Sequence, residues 1–145
     1  MRKTEYEITL PTEEEAQVID GKLLEEIQKA KPFTLSRAFV PVNVCAKKDG
    51  EIIGGVLACA VMWDILYIDT VWTVAQYRNR GVASALICEA EKRARDMGCN
   101  FSRLSTYDFQ APKLYEKLNY KKFGEIDYGH VKESFYYKDL RGKHE

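Results

Sequence analysis

Apolar and polar positions along the chain repeat with two different periods. Over residues 5–10, Tyr6, Ile8 and Leu10 alternate with Glu5, Glu7 and Thr9, the two-residue period of a half-buried strand, and Pro11 ends it. From Thr12 the period lengthens. Ala16, Ile19, Leu23, Ile27 and Ala30 recur every three or four residues and trace one helix face, opened by a Thr12-x-x-Glu15 capping box and followed by Pro32. Gly21 lies within this stretch and can divide it in two. Residues 33–37 read as loop. Residues 39–47 and 52–62 are strand-like and flank Asp49-Gly50, a pair suited to the positive φ angles of a tight hairpin, so they should pair antiparallel. Gly54-Gly55 marks a bulge, a close backbone contact or a crowded packing site.

A third strand, residues 65–74, follows the short turn at Trp63-Asp64. Residues 82–97 then read as a helix whose stripe Val82, Leu86, Ala90, Ala94 and Met97 packs on the sheet, with Glu89, Lys92, Arg93 and Arg95 in solvent and Gly98 closing it in the αL conformation. Residues 101–106 form the next strand, and the helix before it makes the crossover that implies a parallel pair with residues 65–74. A short helix over residues 110–118 precedes a closing hairpin, residues 121–126 and 134–138, around Tyr128-Gly129-His130, and the charged tail after Leu140 should fray. The fold class is therefore α/β of the α+β kind: a mixed, mostly antiparallel sheet with a central parallel pair, flanked by helices.

Composition narrows the function. A chain of 145 residues suits one domain, and 46% hydrophobic with 30% charged residues is the balance of a soluble globule. Lys plus Arg equals Asp plus Glu, 22 against 22, which leaves no global field for a polyanion and disfavours nucleic acid. No uncharged run approaches the ~20 residues that span a bilayer, and no apolar signal core follows Met1, so no membrane partner and a cytoplasmic location are expected. Cys45, Cys59, Cys88 and Cys99 lack C-x-x-C spacing, and with only His130 and His144 beside them no metal site is expected. Three of these thiols sit in apolar stretches and are expected to be buried and reduced.

The chemistry centres on Gln76-Tyr77-Arg78-Asn79-Arg80-Gly81-Val82-Ala83-Ser84. A turn rich in N–H groups that feeds a helix N-terminus offers several donors and a positive dipole end to one anion. Gly81 allows close approach of the main chain, Val82, Ala83 and Ser84 open the helix with small residues, and Arg78 and Arg80 add charge. The bland alternative is a tight, basic helix start with no ligand.

Arg78, Gly81 and Ala83 resemble the Q/R-x-x-G-x-G/A signature of the GNAT family of acyl-CoA-dependent N-acyltransferases, and the element order is similar to that fold over essentially the whole chain, residues 1–145. Residues 108–120 resemble the family's second motif, N-x-x-A-x-x-L/F-Y-E-K-x-G-F/Y, at Ala111, Leu114, Tyr115, Glu116, Lys117 and Tyr120. Two positions depart: Asp108 keeps an acceptor but loses the amide donor of Asn, and Asn119 replaces Gly at a helix end where Asn also accepts the left-handed cap.

The resemblance implies acetyl-CoA as co-substrate, its pyrophosphate on residues 78–84 and its pantetheine along Trp72, Thr73 and Val74, where one N–H polarises the thioester carbonyl. Asp108 and Lys117 are further coenzyme contacts by the same resemblance. It also implies Tyr115 beside the thioester sulfur, as hydrogen-bond donor to the leaving thiolate. Asp69 is the candidate general base: alternation puts it with Tyr67, Val71 and Thr73 on one strand face, where burial would suit it to proton abstraction. It suits a structural role in a neighbouring turn equally well. The loop after Pro32 and the turn at 127–130 are expected to bound the acceptor pocket, while Tyr107, Phe109, Tyr128, Phe135 and Tyr136 suit either that pocket or the sheet core. Asp127 and Glu133 would favour a cationic acceptor. The expected partner is a small-molecule or protein amine. Competing readings are a catalytically inactive GNAT-like acyl-CoA-binding or dimerisation module, and a nucleotide site, against which the absence of G-x-x-x-x-G-K-[ST] and G-x-G-x-x-G counts. Monomer or homodimer stays open.

Overall fold

The computed structural model describes residues 5–142. They fall into two compact units, one ending at Phe33 and the other beginning at Thr34.

In the first unit the capping box forms as expected. The Thr12 hydroxyl accepts the Glu15 N–H at 3.1 Å, and the Glu15 carboxylate accepts the Thr12 N–H at 2.9 Å. Glu13, Glu14 and Glu15 place three negative charges at the positive end of α1 (Glu13–Ala30). The helix runs unbroken through Gly21, whose propensity cost of about 1 kcal/mol is small against the hydrogen bonds of the turns on either side. Residues 5–10 are not a strand, and Ile8 and Leu10 are each 91% exposed. Alternation says which side chains would share a face, but a strand exists only where a partner supplies the ladder.

The second unit holds β1 (Phe39–Pro41), β2 (Val44–Lys48), β3 (Glu51–Val61), β4 (Ile65–Thr73), α2 (Val82–Asp96), β5 (Phe101–Tyr107), α3 (Pro112–Lys117), β6 (Lys121–Asp127) and β7 (Lys132–Asp139). The strands form one sheet in the order β1-β3-β4-β5-β7-β6, with β2 also on β3, and β4–β5 is the parallel pair among antiparallel neighbours. This is the mixed α+β sheet that the periodicities predict. The single strand expected over 39–47 divides at Val42-Asn43. There the Asn43 side-chain oxygen accepts the Ala58 N–H at 3.1 Å, replacing a backbone acceptor, and the ladder breaks into β1 and β2.

Asp49 and Gly50 both take positive φ, 51° and 83°, and close the β2–β3 hairpin. At Gly54 two of the sequence alternatives hold together. An added Cβ would lie 3.0 Å from the Trp72 carbonyl oxygen and 3.2 Å from Leu86 Cδ1 and Val82 Cγ1, so β4 and the first turns of α2 press on β3 there. The register also slips between Ala46 and Lys47, leaving Ile53 as an extra residue beside it.

The core lies between α2 and the sheet: Val56, Ala58 and Ala60 of β3, Leu66 and Ile68 of β4, and Leu86, Ile87, Ala90 and Ala94 of α2 are buried together. Met97 is 42% exposed because the helix ends one residue earlier and turns through Gly98, φ 95°. Of the thiols expected to be buried only Cys99 is, and burial followed by the nearby Asp64 charge pushes its pKa up to about 11; Cys45 and Cys88 are exposed and Cys59 is half-buried. Cys45 and Cys59 lie in β2 and β3, where a two-residue alternation turns every second side chain of an apolar stretch away from the core, and Cys88 lies on the outer face of α2. In the tail, Leu140 is buried and Arg141 is held by Asp139 at 3.0 Å, while residues 143–145, His144 included, lie outside the described residues.

Candidate active site

The turn after β4 is built by local backbone chemistry. The chain leaves Thr73 through a 3-10 turn, Ala75–Tyr77, and Gly81 enters α2 in the left-handed conformation, φ 82° and ψ 6°, which favours glycine. The first helical hydrogen bond runs from the Ala85 N–H to the Gly81 oxygen, and among the described residues no side chain caps the helix. The amides of Val82, Ala83 and Ser84 precede that bond, so they carry the positive end of the helix without an intrahelical acceptor. Beyond its chain neighbours, an added Cβ at Gly81 would meet nothing within 4 Å. Arg78 does not simply point to solvent: its Nε donates to the Thr73 oxygen at 3.0 Å and staples the turn to the strand end. The Arg80 guanidinium lies 5.4 Å from the Tyr77 ring centre and Lys48 Nζ 5.8 Å from it, so one ring orders two cations at the edge of the cradle.

Beside the cradle the sheet opens. β4 and β5 pair only at Ile65 with Phe101, Leu66 with Ser102 and Tyr67 with Arg103. Beyond Tyr67 the facing edges of β4 and β5 have no ladder between them, and this gap is where the sequence expects pantetheine. The three residues named for it divide. The Val74 N–H is committed to the Ile53 oxygen at 2.8 Å, and the alternation of an antiparallel ladder then turns the N–H and carbonyl of Thr73 away from β3, toward the gap. Trp72 puts its side chain on the other face, 47% exposed. The Thr73 side chain is nine-tenths buried on the α2 side, and its hydroxyl has no hydrogen-bond partner among the described residues.

Asp69 departs from its expected place. The register slips between Leu57 and Ala58, which pair with Thr70 and Ile68, so Asp69 is the extra residue of a bulge. Leu66 and Ile68 face the core before it, and Val71 and Thr73 face the core side after it. The phase of the strand therefore flips at Asp69, which does not share a face with Val71 and Thr73 and is exposed rather than buried. Its carboxylate accepts the Thr70 hydroxyl at 3.5 Å.

Tyr115 is 7% exposed, held between Tyr120, whose ring centre is 6.0 Å away edge-on, and Tyr136 at 6.1 Å. Burial pushes its pKa up to about 12, so at neutral pH it is a neutral phenol able to donate. Asn119 takes φ 71° and supplies the left-handed cap expected in place of glycine. Asp108 and Lys117 are exposed, and the Asp108 N–H donates to the Lys132 oxygen at 2.9 Å. The two segments expected to bound one acceptor pocket lie at opposite ends of the parallel pair. Thr34 and Leu35 bond the Met62 oxygen, before β4 starts, whereas the turn at 127–130 is beside the end of β5. Among the described residues no group of three His, Cys, Asp or Glu side chains could hold a metal ion.

A buried polar network under α2 escaped the sequence reading. Glu91, 2% exposed, accepts from the Tyr120 hydroxyl at 2.8 Å and from Lys138 Nζ at 2.9 Å, and the same hydroxyl meets Ser102 Oγ at 2.8 Å. These bonds tie α2, β5, β7 and the end of α3, and so fix the ring against which Tyr115 packs. Helical spacing carried the signal, because Glu91 stands four residues after Ile87 and one after Ala90, on the buried side.

The sequence matches the acetyltransferase (GNAT) family over residues 5–120. It is 36% identical to a blasticidin-S acetyltransferase of Streptomyces morookaense across 69% of this chain and 70% of that one. An acetyltransferase of Agrobacterium fabrum is 26% identical across 59% of this chain and 62% of its own length. The crystal structure of an acetyltransferase from Bacillus cereus superposes with a TM-score of 0.84 at 26% identity, covering 92% of this chain and 97% of that one. The cradle, the opened sheet and these similarities define one class: the chain belongs to the GNAT family of acetyltransferases. It is an N-acetyltransferase by that membership.

Proposed function

We propose that the chain transfers the acetyl group of acetyl-CoA to a primary amine of a small molecule by direct attack in a ternary complex. The observation that carries this reading is the adjacency of the unspent first amides of α2 and the gap-facing N–H of Thr73 on β4. The first suits a diphosphate and the second an amide-bearing arm, which is the layout of coenzyme A. Bound acetyl-CoA supplies an acyl carbon already activated as a thioester.

The residues of this chain do the rest. Val82, Ala83 and Ser84 hold the anion, and Arg78 keeps their turn against the strand. The Thr73 N–H is placed to bond the carbonyl oxygen as it gains negative charge. The amine nitrogen forms a bond to the acyl carbon, the carbon–sulfur bond breaks, and the amine proton passes to Asp69 or to water. Tyr115, with a pKa of about 12 against ~8.5 for a thiol, serves the leaving sulfur as a hydrogen-bond donor and is too weak an acid to protonate it outright.

A small-molecule acceptor is favoured by the relative that acetylates blasticidin S. The test is release of free CoA thiol from acetyl-CoA with a panel of amines that includes blasticidin S, polyamines, amino acids and a lysine peptide. Turnover with a small molecule and none with the peptide is the expected result. Acetyl-CoA that fails to bind, or turnover confined to the peptide, would overturn the proposal.

A further inference from the structure

On the sheet face away from α2 and α3, an open cavity of about 470 Å³ is lined by Tyr107, Phe109, Tyr128 and Val131. That size suits a small organic molecule. Its rings are wet, with Tyr107 37%, Phe109 71% and Tyr128 51% exposed. They are also fixed in place. The Tyr107 and Phe109 rings are parallel to within 1° at 5.8 Å, and their turn is closed by Tyr107 and Gln110, whose backbones bond at 3.0 Å while the Gln110 side chain accepts the Tyr107 N–H at 3.0 Å. Across the cavity the Tyr128 N–H donates to the Val131 oxygen at 2.9 Å.

Strand register brings a carboxylate to the same place. Tyr107 pairs with Glu133 across β5–β7, so both side chains leave one face of the sheet. The Glu133 carboxylate accepts the Ser105 hydroxyl at 2.5 Å and the Tyr128 hydroxyl at 2.7 Å. The bonds from Ser105 and then Tyr128 hold its pKa below the ordinary value, so it is an anion at neutral pH. Among the described residues no Lys or Arg forms an ion pair with it. Glu133 stands behind the lining, joined to it through the hydroxyl of Tyr128; an anion held by neutral donors alone retains its charge for a guest, and aromatic faces attract flat cations.

We infer that this cavity is the acceptor subsite and takes a planar cation, an aromatic amidinium or guanidinium, stacked on the Tyr107–Phe109 pair with its charge toward Glu133. The word acceptor rests on the transferase proposal, whereas the binding does not. β5 borders the gap along residues 104–107, so a guest here approaches from the face opposite the cradle, and carrier and amine do not compete for one entrance.

The experiment is a chemical-shift titration of the whole chain, without acetyl-CoA, with benzamidine, its neutral isostere benzamide and the non-planar cation cyclohexylammonium. Benzamidine should bind about tenfold tighter than either, shifting resonances of Tyr107, Phe109 and Tyr128. Glu133→Gln should abolish the preference over benzamide. Phe109→Leu, at a 71% exposed position that does not support the fold, should weaken benzamidine about threefold or more. Equal binding of the three probes, shifts elsewhere, or the same shifts on raising protein concentration alone, which would mark a contact between copies, would overturn the assignment. Benzamidine binding in a protein that releases no CoA thiol would sink the transferase proposal and leave this one standing.

Discussion

Gly81 separates backbone strain from ligand contact, and a three-member substitution series reads each. Its φ of 82° is a conformation that costs an L-residue about 1–2 kcal/mol, while an added Cβ meets no protein atom within 4 Å. Gly81→Ala should therefore lower the stability of the free protein by about 1 kcal/mol, or roughly 2–4 °C in Tm at this chain length, with no steric term. Gly81→Asn should recover part of that loss, because Asn tolerates the left-handed region. Affinity for acetyl-CoA should follow a different order. A side chain at this position enters the space over the amides of Val82–Ser84, so Ala and Asn both weaken binding, and Gly81→Glu adds a charge against a diphosphate. At ~4 Å and an effective dielectric near 20, that repulsion is about 4 kcal/mol, close to a thousandfold in Kd. Isothermal titration calorimetry gives the affinity and urea denaturation the stability. A Glu variant that binds acetyl-CoA as the wild type does would refute the cradle. An Asn variant that restores both stability and affinity would reduce the glycine to a backbone role.

Thr73→Val should stabilise the free protein by about 1 kcal/mol, since it removes an enclosed hydroxyl that has no partner among the described residues; a destabilised free protein would show that the hydroxyl is satisfied after all. Lys138→Met strands the Glu91 carboxylate in the core and should cost about 3–5 kcal/mol by urea denaturation, whereas Lys138→Met with Glu91→Leu should recover most of it; equal losses would dismiss the ion pair. Tyr115→Phe should lower turnover with little change in acetyl-CoA affinity, and full activity would remove the hydroxyl from the chemistry. The same variant has an alkaline signature. The folded pKa of about 12 lies above the unfolded value of 10.0, so the stabilisation from keeping Tyr115 protonated is complete below pH 10 and is lost as pH rises through 12. The wild type should lose roughly 2–3 kcal/mol relative to the Phe variant over that interval, and parallel curves would contradict the burial argument.

What the sequence made legible was local. The capping box at Thr12, the Asp49-Gly50 turn, the left-handed Gly98 and Asn119 and the crossover into β5 are each written in a few adjacent residues, and each formed as read. What stayed hidden depends on a partner strand. Residues 5–10 alternate without forming a ladder, and the break at Asn43 arises because its side chain finds Ala58 across the sheet. The Asp69 bulge is likewise invisible along one strand and appears only when β4 is counted against β3. Tyr107 and Tyr136 show the same limit at the site. Both are aromatic strand residues of the closing sheet, yet register sends Tyr136 to the core with Leu104 and Tyr107 to the cavity with Glu133.

Three residue pairs are all that stitch β4 to β5, so the sheet is close to being two smaller sheets sharing a hinge. A molecule whose own amides lay along the open seam would stand in for the missing rungs and act as a keystone between them. Its arrival would stiffen the whole arch and its departure would let the halves breathe, so the rhythm of opening would be set by the guest as much as by the polypeptide.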